Sequence, residues 1–98
     1  MIVEFSSPAE VELNEVIAHY DLQRPGLGRE FAIDVAAAIH RIEDYPNVWQ
    51  RLAGKVRRCQ LQRFEYGLVY RVQGGIATIY AVMHLRWRPG YWRERLKR

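Results

Sequence analysis

Apolar residues are spaced in two different ways along the chain, and the change between them is the feature that most constrains the fold. Residues 7–45 show the period of amphipathic helices, whereas residues 55–83 show the alternation and the β-branched and aromatic content of strands. The clearest helical stripe has steps of four, four, four and three residues: Leu27, Phe31, Val35, Ile39 and Ile42. Two helices followed by strands predict an α+β fold, with the helices packed on one face of a sheet.

A short strand and a helical hairpin are predicted for the first half of the chain. Residues 2–5 form a brief apolar stretch, and Ser7 and Pro8 suit the N-cap and the first helical position of the helix that follows. The segment 23–26 separates the two helices, because its proline disfavours a helical conformation in the residue before it. The segment 44–47 ends the second helix for the same reason.

Three further strands are predicted after a loop over 49–54. Residues 55–64 mix apolar and polar side chains as a half-exposed strand does, while 66–72 and 76–83 are joined by Gly74-Gly75 as a hairpin. The last strand is almost continuously apolar, so we expect both of its faces to be covered. The predicted element order is β-α-α-β-β-β in a mainly antiparallel sheet.

The length of 98 residues suits one domain, which we expect to span 1–98. Such a small domain has a thin core, so an exposed apolar strip that awaits a partner is an expected feature. The tail from Arg86 to Arg98 is predicted to form a short helix that begins near Pro89.

Charge is distributed unevenly between the two halves of the chain. Residues 1–49 carry three basic against nine acidic residues, a net charge of −6, whereas residues 50–98 carry twelve against two, a net charge of +10. All but two of the basic residues are arginines, whose planar group suits bidentate contact with phosphate or carboxylate. Nucleic acid or an acidic protein segment is therefore the expected partner.

Arginines and large aromatic residues occur together after the last predicted strand, and arginines also recur on the strand 55–64. Alternation sends Arg57 and Arg63 to one face of that strand and Arg58 to the other. Such surfaces can bind phosphates and stack on bases, but the aromatic rings can equally pack the tail onto the sheet. The candidate target- or nucleic-acid-binding residues are Arg57, Arg58, Arg63, Arg86, Trp87, Arg88, Tyr91, Trp92, Arg93 and Arg95.

Few residues in the sequence suit catalysis. His84 lies at the end of a strand, where its imidazole could act as a general base, although structural histidines are commoner. The carboxylates near the start of the first helix are explained by capping and the helix dipole. No metal-binding or nucleotide-binding motif is present, so we expect no cofactor and no metal. A single cysteine, Cys59, and the lack of a signal or membrane-spanning pattern favour the cytoplasm.

Four segments together resemble ParE-like plasmid-stabilisation toxins of the RelE/ParE superfamily. They are 25–31 (PGLGREF), 56–58 (VRR), 63–70 (RFEYGLVY) and 84–92 (HLRWRPGYW). Their succession follows the order of the family over essentially the whole chain. The resemblance implies a cytoplasmic toxin that a co-expressed antitoxin holds inactive in a hetero-oligomer.

RelE-like members of the superfamily cut messenger RNA on the ribosome, and this resemblance carries over only in part. Arg58 and Arg86 match a family lysine and the family's late arginine. Gln60 replaces a second lysine, Gly67 replaces an arginine, and Trp92 stands where the family has a tyrosine. These departures favour the ParE branch, which the resemblance connects with inhibition of DNA gyrase through protein binding and without hydrolysis.

Three hypotheses follow for the function. The first is a ParE-like inhibitor of DNA gyrase, which is not an enzyme. The second is a RelE-like endoribonuclease acting on ribosome and mRNA, with Arg58, His84 and Arg86 as candidate catalytic residues. The third is a degenerate toxin that retains only antitoxin binding.

Overall fold

The computed structural model describes residues 1–87 and 90–97. Within this part of the chain, two helices lie on one face of a five-stranded sheet, and a short 3₁₀ helix, here called the tail helix, lies against the other face. The elements are β1 (Ile2–Phe5), α1 (Ser7–Gln23), α2 (Leu27–Asp44), β2 (Gln50–Ala53), β3 (Val56–Gln60), β4 (Tyr66–Gln73), β5 (Ile76–His84) and the tail helix (Tyr91–Lys97).

The strands follow the order β1-β5-β4-β3-β2 across the sheet. β1 runs parallel to β5, and the other neighbouring pairs are antiparallel. The α+β class and the helical hairpin are thus confirmed. A short helix in the tail is also found, while its predicted start near Pro89 lies outside the described residues.

Two strand boundaries differ from the predictions. The loop expected over 49–54 contains β2, which pairs with β3 at the edge of the sheet, so the order is β-α-α-β-β-β-β. Its four residues are too few, and its first two too polar, to show alternation in the sequence. The strand expected over 55–64 ends at Gln60, because the next residues turn back towards β4.

The N-cap of α1 is Ser6 and not Ser7 as predicted. The Ser6 side chain accepts a hydrogen bond from the backbone N–H of Ala9 at 3.4 Å, and its own N–H donates to Ile79 in β5. The second bond aligns Ser6 with the end of β1, so the helix begins one residue earlier than the proline alone indicates.

Each face of the sheet has its own apolar cluster. On the face covered by the helices, here called the helix face, the fully buried members include Phe31, Ile42, Leu68, Tyr70 and Ile79. The opposite face, here called the tail face, has a smaller cluster: Val56, Val69, Ala81, Met83 and Trp92. β5 contributes to both clusters, which confirms that the last strand is covered on both faces.

The buried carboxylate of Asp34 in α2 fixes the turn between β3 and β4. Asp34 is 5% exposed, and its two oxygens accept hydrogen bonds from three successive backbone N–H groups at 2.9 to 3.3 Å: Gln62, Arg63 and Phe64. A turn without regular structure thereby has its donors satisfied, as buried backbone groups require. β3 and β4, which this turn connects, are thus held in a fixed position relative to the helices.

Replacing Asp34 by Asn is expected to lower the free energy of unfolding by about 3 kcal/mol, because an amide N–H₂ would face N–H donors in a buried site. Asp44→Asn, at the exposed end of α2, is the matched control and should change stability little. Urea denaturation followed by circular dichroism measures both. Equal midpoints for the two variants would contradict the role given to Asp34.

Candidate interaction surface

Valine and arginine alternate on the tail face of β3 and β4. Val56 lies opposite Arg71, and Arg58 lies opposite Val69. The two valines belong to the cluster around Trp92, so the two arginines are diagonal neighbours on the same face. The cationic groups of this face therefore surround a buried indole.

Gly67 allows Arg58 to lie flat across β4. A Cβ atom at Gly67 would stand 2.7 Å from Cγ and 2.8 Å from Cδ of Arg58, which no side chain tolerates without displacing that arginine. The Arg58 guanidinium then reaches β2, where its Nη2 donates to Oε1 of Gln50 at 2.7 Å. The glycine thus has a structural role, because it gives Arg58 its position.

The carboxylate of Glu12 in α1 holds the tail helix. Its oxygens accept from Tyr91 Oη at 2.8 Å and from Arg95 Nη1 and Nη2 at 2.8 and 3.1 Å. They also accept from the backbone N–H of Val82 at 3.1 Å, while Arg95 donates to the Tyr80 carbonyl at 2.8 Å. One carboxylate therefore joins α1, β5 and the tail helix.

Two pKa shifts reflect this contact. Burial, together with the hydrogen bond and the negative charge of Glu12, raises the pKa of the Tyr91 phenol well above its ordinary value. The hydrogen bond to Glu12 raises the pKa of Arg95, although partial burial opposes it. Both groups stay protonated at neutral pH, so the contact remains an ion pair with an added phenol donor.

Three residues of the tail helix thus serve mainly to hold it against the rest of the fold: Trp92, Tyr91 and Arg95. Trp92 is 2% exposed, so neither face of its ring is available to a base, and Tyr91 and Arg95 are held by Glu12. For Tyr91 and Trp92, these contacts agree with the interpretation that the aromatic rings pack the tail onto the sheet, whereas Arg95 is held by an ion pair and not solvated. Arg93 differs, since it is exposed and its guanidinium lies 5.2 Å from the Trp92 ring centroid.

The end of β5 presents an exposed aromatic ring beside an exposed arginine. Trp87 is 42% exposed and stacks on His84 at 6.1 Å between ring centroids, with Tyr66 and Tyr91 at its edges. The side chain of Arg86 is 80% exposed, and its Nη2 lies 3.6 Å from Glu65. The ring of Trp87 is therefore held in a defined orientation although it faces solvent.

His84 is mainly engaged in local structure. Its Nδ1 accepts the backbone N–H of Arg86 at 3.1 Å, and its Nε2 lies 3.9 Å from a carboxylate oxygen of Glu65. The ring also packs edge-on against Tyr66 at 5.0 Å. These contacts orient the turn that carries Arg86 and Trp87.

The candidate arginines do not form one group. Arg58 and Arg93 line one pocket together with Trp87. Arg57 donates to the Trp49 carbonyl at 2.9 Å, while Arg63 pairs with Glu30 at 2.7 Å and lowers the pKa of that carboxyl. Arg88 lies outside the described residues.

Two residues that matter to this surface were not singled out from the sequence. Glu12 had been assigned to capping with its neighbours, and nothing in the local pattern indicates a partner 83 residues away. Arg71 lies within a strand that is otherwise mostly apolar, so the sequence pattern did not indicate it as a surface residue. Its position two residues after Val69 places it on the tail face. Sheet alternation combined with the register would have identified Arg71.

Comparison with known proteins identifies the family of the chain. A family model described as "ParE toxin of type II toxin-antitoxin system, parDE" matches residues 3–87. The chain belongs to the ParE toxin family. The tail helix lies beyond the residues matched by the model.

A solved structure agrees at the level of the fold. "Chromosomal ParDE TA system from P. aeruginosa" superposes with a TM-score of 0.75 at 18% sequence identity, covering 86% of this chain and 95% of that chain. None of the curated proteins compared matches the chain significantly. Among the described residues of this ParE family member, no helix is long and apolar enough to cross a membrane.

Replacing Glu12 by Gln in this ParE family member is expected to release the tail helix, because the ion pair with Arg95 is lost. Trypsin cleavage after Arg93 and Arg95 should become about tenfold faster, since cleavage requires local opening. Mass spectrometry of timed digests measures the rate of this cleavage. Glu15→Gln, exposed on the same helix, is the control; unchanged cleavage in Glu12→Gln would show that apolar packing alone holds the tail.

Proposed function

We propose that this toxin of the ParE family arrests growth by binding DNA gyrase, and that Trp87 with its neighbouring arginines forms the contact. The observation that carries the proposal is a solvent-facing tryptophan held in one orientation by His84, Tyr66 and Tyr91. Tryptophan and arginine dominate the energetics of protein interfaces, and a ring that is already ordered loses little entropy on binding.

The surface includes arginines beside Trp87. Arg86 precedes it in the chain and is exposed, and Trp87 lines a pocket together with Arg58 and Arg93. Cations beside an aromatic anchor suit a protein surface that carries acidic groups, and they accelerate association with it. This arrangement supports binding to a protein target.

The groups around this surface are poorly suited to RNA cleavage. Cleavage through a 2′-hydroxyl needs one group to take a proton and another to donate one. Gly67 has no side chain, Gln60 does not ionise in the physiological range, and Trp92 is buried. Tyr91 has a raised pKa, and its hydroxyl donates a hydrogen bond to Glu12. His84 has the Glu65 carboxylate 3.9 Å from its Nε2 as a neighbour. The inhibitor is therefore favoured over the nuclease by the missing groups at Gly67, Gln60 and Trp92, and not by the surroundings of His84.

A neutralising antitoxin is the second part of the proposal. Membership of a toxin-antitoxin family supports a protein partner encoded with the toxin. The net charge of +10 over residues 50–98 favours an acidic partner segment. The third hypothesis, a degenerate toxin, retains this partner and lacks the gyrase target.

The purified chain is expected to inhibit gyrase supercoiling and to leave translated messenger RNA intact, because it has an ordered binding surface and lacks ionisable groups at Gly67, Gln60 and Trp92. A supercoiling assay with plasmid DNA and primer extension on ribosome-bound message measure the two activities. Cuts in the message that vanish in His84→Ala would establish the nuclease instead. Inactivity in both assays would favour the degenerate toxin.

Trp87→Ala and Arg86→Ala are each expected to raise the concentration needed for half-inhibition at least about tenfold, because truncation of interface hot spots typically costs about 2 kcal/mol or more. The matched controls are Tyr45→Ala, an aromatic residue 62% exposed beyond α2, and Arg29→Ala, exposed on α2. Gyrase supercoiling assays, titrated with each folded variant, measure the concentrations for half-inhibition. Full potency in Trp87→Ala would remove this surface from the proposal.

A further inference from the structure

A pocket of about 550 Å³ lies on the tail face, beside Trp92. Among the described residues, the charged side chains that line it are all cationic: Lys55 from the turn between β2 and β3, Arg71 from β4, and Arg93 from the tail helix. Arg93 lies beyond residues 3–87, the segment that the ParE family model matches. The exposed ring of Trp87 does not line this pocket, although Trp92 and Arg93 line both it and the pocket beside Trp87.

Two residues that line this pocket each have a buried N–H group without an acceptor in the described part of the chain. The two groups are Nε1 of Trp92, a residue 2% exposed, and Nε of Arg71. The indole of Trp49, by comparison, donates to the Arg41 carbonyl at 3.2 Å. A buried donor without an acceptor costs about 1–3 kcal/mol. Both nitrogens are closed to solvent in this structure, so a ligand that brings acceptor atoms would recover this free energy once the side chains around them move.

We propose that the pocket binds carboxylate side chains from an acidic segment of a protein partner. Carboxylate oxygens would accept from the unpaired N–H groups and pair with the three cations. Apolar side chains complete the lining and suit the aliphatic part of a glutamate: Val56 and Leu96. The inference rests on the proposed function in taking that partner to be the neutralising protein.

A protein segment fits this pocket better than a nucleic acid does. Single-stranded nucleic acids gain affinity by stacking bases on exposed rings. The ring that lines this pocket is Trp92, which is buried, while the exposed ring of Trp87 lies outside it. Binding here therefore depends on charge and on N–H donors, which a carboxylate satisfies.

The test is a titration of the ¹⁵N-labelled full chain with octaglutamate, followed through its three tryptophan indole resonances. The Trp92 Nε1–H signal, assigned with Trp92→Phe, should move downfield as it gains an acceptor, while that of Trp49 stays in place. The dissociation constant should rise at least about fivefold in Lys55→Gln and in Arg93→Gln. Arg29→Gln, with the same loss of charge on the helical layer, should leave it unchanged.

Three outcomes would overturn the proposal. They are an unmoved Trp92 resonance, an equal loss of octaglutamate affinity in Arg29→Gln, and a larger Trp92 shift with oligothymidylate of matched charge. Lys55 lies in an exposed turn, so its variant remains informative if Arg93→Gln disturbs the tail helix. Gyrase inhibition without a Trp92 shift would refute this inference alone. A shift without gyrase inhibition would refute the gyrase proposal and leave the carboxylate site.

Discussion

The contact between Glu12 and the tail helix completes an incomplete sheet edge. β1 is short and pairs with β5 only from Ile76 to Ile79. Beyond that point, the N–H of Val82 donates to Glu12, and the carbonyl of Tyr80 accepts from Arg95. An ion pair between a helix and the tail thus replaces the missing strand, since unpaired edge groups need partners. The tail face and its pockets depend on this contact, because it fixes the helix that carries Trp92 and Arg93.

The buried tail also determines how the positive charge is presented. Burying Trp92 against Val56 and Val69 leaves Arg58 and Arg71 on either side of it. Their side chains are only partly exposed, and each has a buried Nε without an acceptor in the described residues. Arginines in this environment are more weakly hydrated than those on an open surface and gain more from an anionic partner. This environment of the two arginines supports the proposal that the tail face binds carboxylates.

Three of the residues that make RNA cleavage less favourable contribute to packing. Gly67 makes room for Arg58, and Trp92 fills the cluster on the tail face. Tyr91 anchors the tail through Glu12. Each of these residues is thus engaged by its neighbours in the fold, which supports the proposal of a binding surface.

The sequence by itself determined the helical hairpin, the β4–β5 hairpin and the basic second half, because periodicity, turn residues and charge are local properties. It did not reveal β2, which gains its structure only by pairing with β3. Tertiary structure alone decided which candidates face solvent: Trp92 and Trp87 are five residues apart in the same basic segment, yet one is buried and the other exposed. The difference arises from the contact of Glu12 with residues about 80 positions away. Such a long-range ion pair leaves no periodic pattern in a single sequence.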